Sequence, residues 1–197
     1  MKPLFNQKSV ATFLLSLLLS FILISCKDHK REAANVSNNI ITDSPVKAPM
    51  FELVSTTGQT ISMEDYKGKT LVIHIATTWC PYCNAEAPHL EQLSKDYKNR
   101  GVEVLIIDVK EPKDLIIDKL VNTHKLSFPV LLDSDGAVAA SFAPKDVLPE
   151  LSRDEIMLAS NIIIDQQGAI QFMSLLDTKN FDSKLIHLKK KLDELLQ

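Results

Sequence analysis

Cysteine is scarce in this chain, with only Cys26, Cys80 and Cys83 among 197 residues. Once Cys26 is set aside for the reason given below, no spare thiol remains to form a structural bridge. A structural zinc site is poorly supported too, because there is no second Cys-x-x-Cys and no closely spaced histidine pair to complete the ligand set. An excess of positive charge is also missing. The 22 basic residues are outnumbered by 25 acidic ones, for a formal charge of -3, which argues against a nucleic-acid partner. Neither an internal repeat nor a low-complexity segment interrupts the chain.

Long apolar runs are few, and the longest lies at the start. Residues 10–24 are broken only by Thr12, Ser16 and Ser20, follow Lys2 and Lys8, and contain no acid. This pattern reads as a signal segment over residues 1–25. It ends in Leu23-Ile24-Ser25-Cys26, which resembles the bacterial lipoprotein box, so that Cys26 is the expected lipidation site; an uncleaved membrane anchor is the alternative. Either way the domain is expected outside the cytoplasmic membrane. Loss of Lys2 and Lys8 would take the formal charge from -3 to -5. Residues 26–47 are polar and lack an amphipathic period, as in a flexible tether. The remaining residues, 48–197, suffice for one core and not for two.

The chemistry concentrates in residues 71–83. The run Leu71-Val72-Ile73-His74-Ile75 is rich in β-branched residues and suits a strand covered on both faces. Beyond Cys83, the positions Ala87, Leu90, Leu93 and Tyr97 recur at helical spacing. Cys80 therefore falls at a strand-to-helix turn, where unpaired N–H groups and the positive end of the helix dipole favour a thiolate. Cys80 is the expected nucleophile, exposed and acidic. Pro81 fits just inside the helix, and Cys83, about one turn on, is the expected resolving thiol and the more buried of the two.

Several further elements can be placed. Residues 51–54 and 60–62 suggest a small hairpin, and residues 102–109 a second buried strand. Pro112 and Asp114 can start a helix running to about His124, followed by a strand over residues 128–132 that ends at the Asp133-Ser134-Asp135-Gly136 turn. Residues 162–164 and 169–173 form a late antiparallel hairpin. Phe181, Leu185, Leu188, Leu192 and Leu195 give a closing amphipathic helix. Strands alternating with helices imply a parallel sheet with helices on both faces, hence an α/β fold.

The sequence Trp79-Cys80-Pro81-Tyr82-Cys83, followed by Glu86 and Pro88, resembles the thioredoxin superfamily and its extracytoplasmic TlpA/ResA-like branch, which is related to the AhpC/TSA redoxins. Ala48-Pro49-Met50-Phe51-Glu52-Leu53, Tyr66-Lys67-Gly68-Lys69 and Asn161-Ile162-Ile163-Ile164-Asp165 with Gly168 are similar to other pieces of that branch. The resemblance spans roughly residues 47–195. It implies a thioredoxin-like fold: a central mixed sheet flanked by helices, with an N-terminal β-hairpin and a strand-helix insertion. It also implies thiol-disulfide exchange without a cofactor, on disulfides or thiols of exported proteins or of cytochrome c maturation components. Reducing equivalents would come from an unidentified membrane donor.

The same resemblance suggests roles for other residues. Glu86 lies where the branch places a functional glutamate. His74 occupies the strand position at which thioredoxins carry a proton-relaying aspartate, though a hydrogen-bonded core histidine reads equally well. Trp79, Pro81 and Tyr82 are expected to meet the substrate, together with Ala159 and Ser160. Ala159 stands where relatives usually carry a cis-proline. Its peptide is therefore expected to be trans, with weak general reductase activity that a proline there would raise. The Pro-Tyr pair between the cysteines is shared with glutaredoxins, whose couples lie near about -200 to -230 mV.

Two other functions stay open. Thr77-Thr78-Trp79-Cys80 fits the Thr-x-x-Cys portion of the peroxiredoxin motif, but Ile73 departs from the proline expected there, and Arg153 is the arginine that would have to assist. A non-enzymatic module delivering copper or haem components is the other, without a supporting histidine near the late strand.

Overall fold

The computed structural model describes residues 46–197. The predicted signal segment, Cys26 and almost all of the predicted tether lie outside the described residues. The first described strand, Val46–Lys47 (β1), pairs with Ile170 and Ala169. Glu52–Val54 (β2) and Thr60–Ser62 (β3) then form the small separate hairpin.

The main sheet is built from Thr70–Ala76 (β4), Val102–Val109 (β5), Val130–Asp133 (β6), Ser160–Ile164 (β7) and Ala169–Ser174 (β8), with β1 at one edge. Its order is β1-β8-β7-β4-β5-β6. Strands β4, β5 and β6 are parallel, while β7, β8 and β1 are antiparallel to their neighbours. The sheet is mixed, as the family resemblance implied, and not parallel throughout as the alternation of strands and helices implied. Every residue of β4 is buried, as a strand covered on both faces requires.

Alternation along β4 divides the core in two. Val72 and Ala76 pack with Ala87, Leu90, Leu93 and Tyr97 of the long helix Pro81–Tyr97 (α1). Leu71, Ile73 and Ile75 pack on the other face with Met63, Tyr66, Phe142 and Met157. A fully buried Leu or Ile side chain contributes roughly 1.5–3 kcal/mol relative to exposure. The parity also settles where His74 points: with Val72 and Ala76, it faces the side covered by α1.

The expected insertion lies between β5 and the short helix Ala137–Phe142 (α3). It comprises Lys113–Ile116 (α2), a π-helical continuation over Ile117–Asn122, a last turn reaching His124, and then β6 at the sheet edge. Gly136, with φ of 77°, makes the turn into α3. A Cβ there would meet Lys110 Cε at 2.8 Å and Asp154 Oδ2 at 3.0 Å, so the close approach of the Lys110–Asp154 ion pair needs glycine. Arg153–Ile156 (α4), not foreseen from sequence, leads into β7. The closing helix Ile186–Leu195 (α5) places Leu188 and Leu192 in the core, whereas Phe181 precedes it. No helix among the described residues is long and apolar enough to cross a membrane.

Candidate active site

Strand β4 ends at Ala76, and four residues later Cys80 becomes the N-cap of α1, with Pro81 in its first turn. Both thiols are free. The backbone N–H of Cys83 donates to Cys80 Sγ at 3.3 Å. Cys83 Sγ stands 4.0 Å from the carbonyl oxygen of Ile75. A hydrogen bond from the Cys83 thiol, aided by backbone N–H groups of Cys83 and Tyr82, holds the Cys80 thiol down at about 6, against the opposing pull of burial. The Cys83 thiol is pushed far up by the same hydrogen bond, by burial and by the Cys80 charge. The two shifts describe one thiol–thiolate pair that shares a proton, with the charge on Cys80.

One expectation needs correction. Cys80 is acidic but not exposed: only 4% of its surface is accessible, against 0% for Cys83. Cys80 belongs to the buried cluster that also holds Ala76, Ala87 and Ala159, while the neighbouring Trp79 is 67% exposed.

Behind the thiols lies a buried polar trio that the sequence only half revealed. The side-chain amide of Asn161 donates from Nδ2 to Glu86 Oε1 at 3.0 Å, and its Oδ1 faces His74 Nδ1 at 3.0 Å. Because the amide nitrogen is committed to the carboxyl, Oδ1 must accept, which assigns the hydrogen to Nδ1 of His74. Glu86 Oε2 lies 3.4 Å from the same ring nitrogen and makes no hydrogen bond. Burial raises the Glu86 carboxyl to about 8, opposed by the Asn161 bond and assisted by the charges of Asp182 and Cys80. Burial also lowers His74 to about 4, opposed by hydrogen bonds to Asn161 and the Ser160 backbone. At neutral pH the pair is thus a protonated acid beside a neutral imidazole, not an ion pair. Sequence reading missed Asn161 as a site residue. It follows Ser160 at the start of β7, and only the register of β7 on β4 sets it opposite His74.

A second buried acid, Asp108 on β5, pairs in register with Ala76. Burial, then the charge and hydrogen bond of Glu111, raise it to about 8. Glu111 itself accepts from Thr78, through the backbone N–H and the hydroxyl.

The expected substrate-binding residues separate into two groups. Trp79 and Pro81 are exposed, and Tyr82 is half-buried with its ring edge-on to Phe181 at 4.9 Å. Ala159 and Ser160, in contrast, are buried at 3% and 0% exposure. The N–H of Ala159 is spent on the carbonyl of Ile75 at 2.9 Å, and that of Ser160 on Met157 at 3.0 Å. Neither side chain is placed to meet a partner, which corrects that expectation. The peptide before Ala159 is trans, and the residue takes a left-handed conformation with φ of 59°. Proline cannot adopt that angle and would forfeit the bond to Ile75, so the expected gain from Ala159→Pro does not fit this backbone. Arg153 directs its guanidinium to the carbonyls of Pro144 and Val147.

Comparison with known proteins places this geometry. Over 124 residues the chain is 30% identical to the thiol-disulfide oxidoreductase ResA of Bacillus thuringiensis subsp. konkukian, covering 63% of this chain and 65% of the relative. ResA of Bacillus subtilis is 31% identical over 123 residues, 62% of each chain. The chain thus spans less than two thirds of the length of these relatives. Among solved structures, a secreted thiol-disulfide isomerase from Corynebacterium glutamicum superposes with a TM-score of 0.67 at 18% identity, covering 84% of this chain and 96% of that one. A thioredoxin family thiol:disulfide interchange protein from Chlorobium tepidum does so with 0.61 at 21%, covering 79% and 99%. These likenesses show a thioredoxin-like fold. The AhpC/TSA family model matches residues 46–173, which include both cysteines, Glu86, His74 and Asn161, and the chain belongs to that family.

Proposed function

We propose that this protein is a thiol-disulfide oxidoreductase, with Cys80 as nucleophile and Cys83 as resolving thiol. The observation that carries the reading is the sulfur of Cys80 at the start of α1, accepting the Cys83 N–H while Cys83 keeps the proton. The Cys80 thiolate attacks one sulfur of a substrate disulfide. A Cys80–substrate mixed disulfide forms, and the displaced substrate sulfur takes up a proton. Loss of the Cys80 charge removes part of what holds the proton on Cys83 and part of what raises Glu86. Glu86, more easily ionised at this stage, releases its own proton to solvent and then accepts the Cys83 proton, and the Cys83 thiolate attacks Cys80 Sγ. The second substrate thiol leaves, a Cys80–Cys83 disulfide remains, and two electrons have passed to the substrate.

Substrates in this reading are disulfides of exported proteins, cytochrome c maturation components among them, and a membrane donor restores the dithiol. The signal pattern over residues 1–25 and the box at Cys26 support an extracytoplasmic, lipid-anchored location. Insulin-disulfide reduction by the dithiothreitol-regenerated protein is the test. Cys80→Ser should abolish it, and hydrogen peroxide should be consumed no faster than by free thiols. Rapid peroxide turnover without insulin reduction would replace this reading with a peroxidase.

A further inference from the structure

Thr78 precedes Cys80 by two residues and is gripped on three atoms. Its N–H and its hydroxyl both donate to the Glu111 carboxylate, the hydroxyl at 2.7 Å to Oε1. Its carbonyl accepts from Asn84 Nδ2 at 2.8 Å, and the same amide donates to the carbonyl of Cys80, also at 2.8 Å. Asn84 therefore bonds the carbonyls on either side of Trp79. Since Nδ2 donates twice, Oδ1 is an acceptor, and His124 Nε2 donates to it at 2.9 Å. Glu111 follows β5, Asn84 belongs to α1, and His124 ends the helical run of the insertion. Three elements distant in sequence thus converge on one turn.

We propose that Asn84 and Glu111 are positioning residues for Cys80: they clamp Thr78 from two elements, hold the turn over residues 77–80, and thereby keep the Cys80 sulfur on the first turn of α1. His124 orients the Asn84 amide and so ties the insertion to the redox pair. The inference rests on Cys80 being the nucleophile.

The turn itself has little to hold it otherwise, its own backbone contribution being the bond from the Cys80 N–H to the Thr77 carbonyl at 3.3 Å. The Cys83 N–H to Cys80 Sγ contact, also 3.3 Å, is lost by a small rotation of that turn. A carboxylate accepting two hydrogen bonds is a strong anchor. By charge alone, Glu111 would disfavour a thiolate, so what it contributes to Cys80 is geometry. Removing its charge and removing its grip therefore act in opposite directions on Cys80.

The test is the pH profile of Cys80 alkylation by iodoacetamide in the full-length reduced protein, read by mass mapping, with a thermal melt of each variant. Asn84→Ala should raise the midpoint by about half to one pH unit, the equivalent of one hydrogen bond. Glu111→Ala should lie above Glu111→Gln, which keeps an acceptor for the Thr78 N–H. His124→Ala should shift in the same direction as Asn84→Ala, and His124→Gln, which retains a donor, should restore the wild-type midpoint. Should Asn84→Ala fail to fold, Thr78→Val removes only the hydroxyl contact and should still raise the midpoint. A folded Asn84→Ala protein with the wild-type profile, together with equal midpoints for Glu111→Ala and Glu111→Gln, would overturn the clamp. If wild-type Cys80 is not alkylated ahead of Cys83, the functional reading itself fails, a separate outcome.

Discussion

His74 and Asn161 face each other across the β4–β7 register, with Nδ1 of the histidine 3.0 Å from Oδ1 of the asparagine, and the contact fixes which imidazole nitrogen carries the hydrogen. Because the other end of that amide holds Glu86, the acid proposed to serve the thiols is oriented from the sheet, not from its own helix.

Stability should fall as pH rises. Glu86 and Asp108 each hold a proton up to about 8 when folded, but only to their ordinary carboxyl range, near about 4, when unfolded. Between those limits the folded state binds more protons, so each acid costs about 1.4 kcal/mol of stability per pH unit. His74 acts oppositely on the acid side, remaining neutral to about 4 when folded while the unfolded ring charges below about 6.5. Above about pH 6.5 the two acids are opposed by Cys80, whose thiol is held down at about 6 when folded against its ordinary value of 9.0 when unfolded, so the net decline is that of one acid. Denaturant melts at pH 6.5 and 8 should show the decline, and Glu86→Gln should flatten it and be a few kcal/mol more stable at pH 8. A steep decline retained in Glu86→Gln and in Asp108→Asn would refute the assignment.

The thiols should differ sharply. Cys80 alkylation should titrate with a midpoint near 6, while Cys83 stays unmodified through neutral pH. Cys83→Ser should accumulate mixed disulfides with a model substrate, and Cys80→Ser should form none. Gel analysis under non-reducing conditions distinguishes the two; equal trapping by both variants would contradict the roles.

Ala159 offers a backbone test. A non-glycine residue in the left-handed region costs roughly 1–2 kcal/mol, and glycine recovers that less its own entropic cost of about 0.5–1 kcal/mol. Ala159→Gly should therefore stabilise the fold by a few tenths to about 1 kcal/mol. Ala159→Pro should destabilise it by more than about 1 kcal/mol and reduce activity with it. A proline variant as stable as wild type would show that the left-handed turn is dispensable.

Anchoring is checked at Cys26. Metabolic labelling with a fatty acid should tag the wild type and not Cys26→Ala, and an unmodified Cys26 thiol in the wild type would rule the lipoprotein reading out.

The sheet strands and the redox turn were legible in the sequence because their signals are local: an apolar β-branched run, a proline after the first cysteine, helical spacing beyond the second. Glu86 and His74 could be picked out by position relative to Cys80. Their partner Asn161 could not, since only the antiparallel register of β7 on β4 brings it opposite His74. Asn84, Glu111 and His124 were invisible for the same reason: each looks like a solvated polar residue until three separate elements are packed together. The exposure of Cys80 was misjudged because a helix N-cap indicates acidity and says nothing about what covers the sulfur. In the same way, the alanine in the cis-proline position indicated a trans peptide but not the left-handed φ that now occupies it.

The pairing of β7 with β4 spans 87 residues of chain between His74 and Asn161. Closing so long a loop is entropically costly and belongs late in folding. Before β7 docks, Glu86 has neither its amide partner nor full burial and is an ordinary helix carboxylate, and the bond from Ala159 to Ile75 has not formed. A chain in which β7 has not yet docked would therefore present Cys80 and Cys83 as a dithiol without its buried acid. Maturation of the redox centre coincides with completion of the late hairpin, so an exchange-competent site and a finished domain arise in one step.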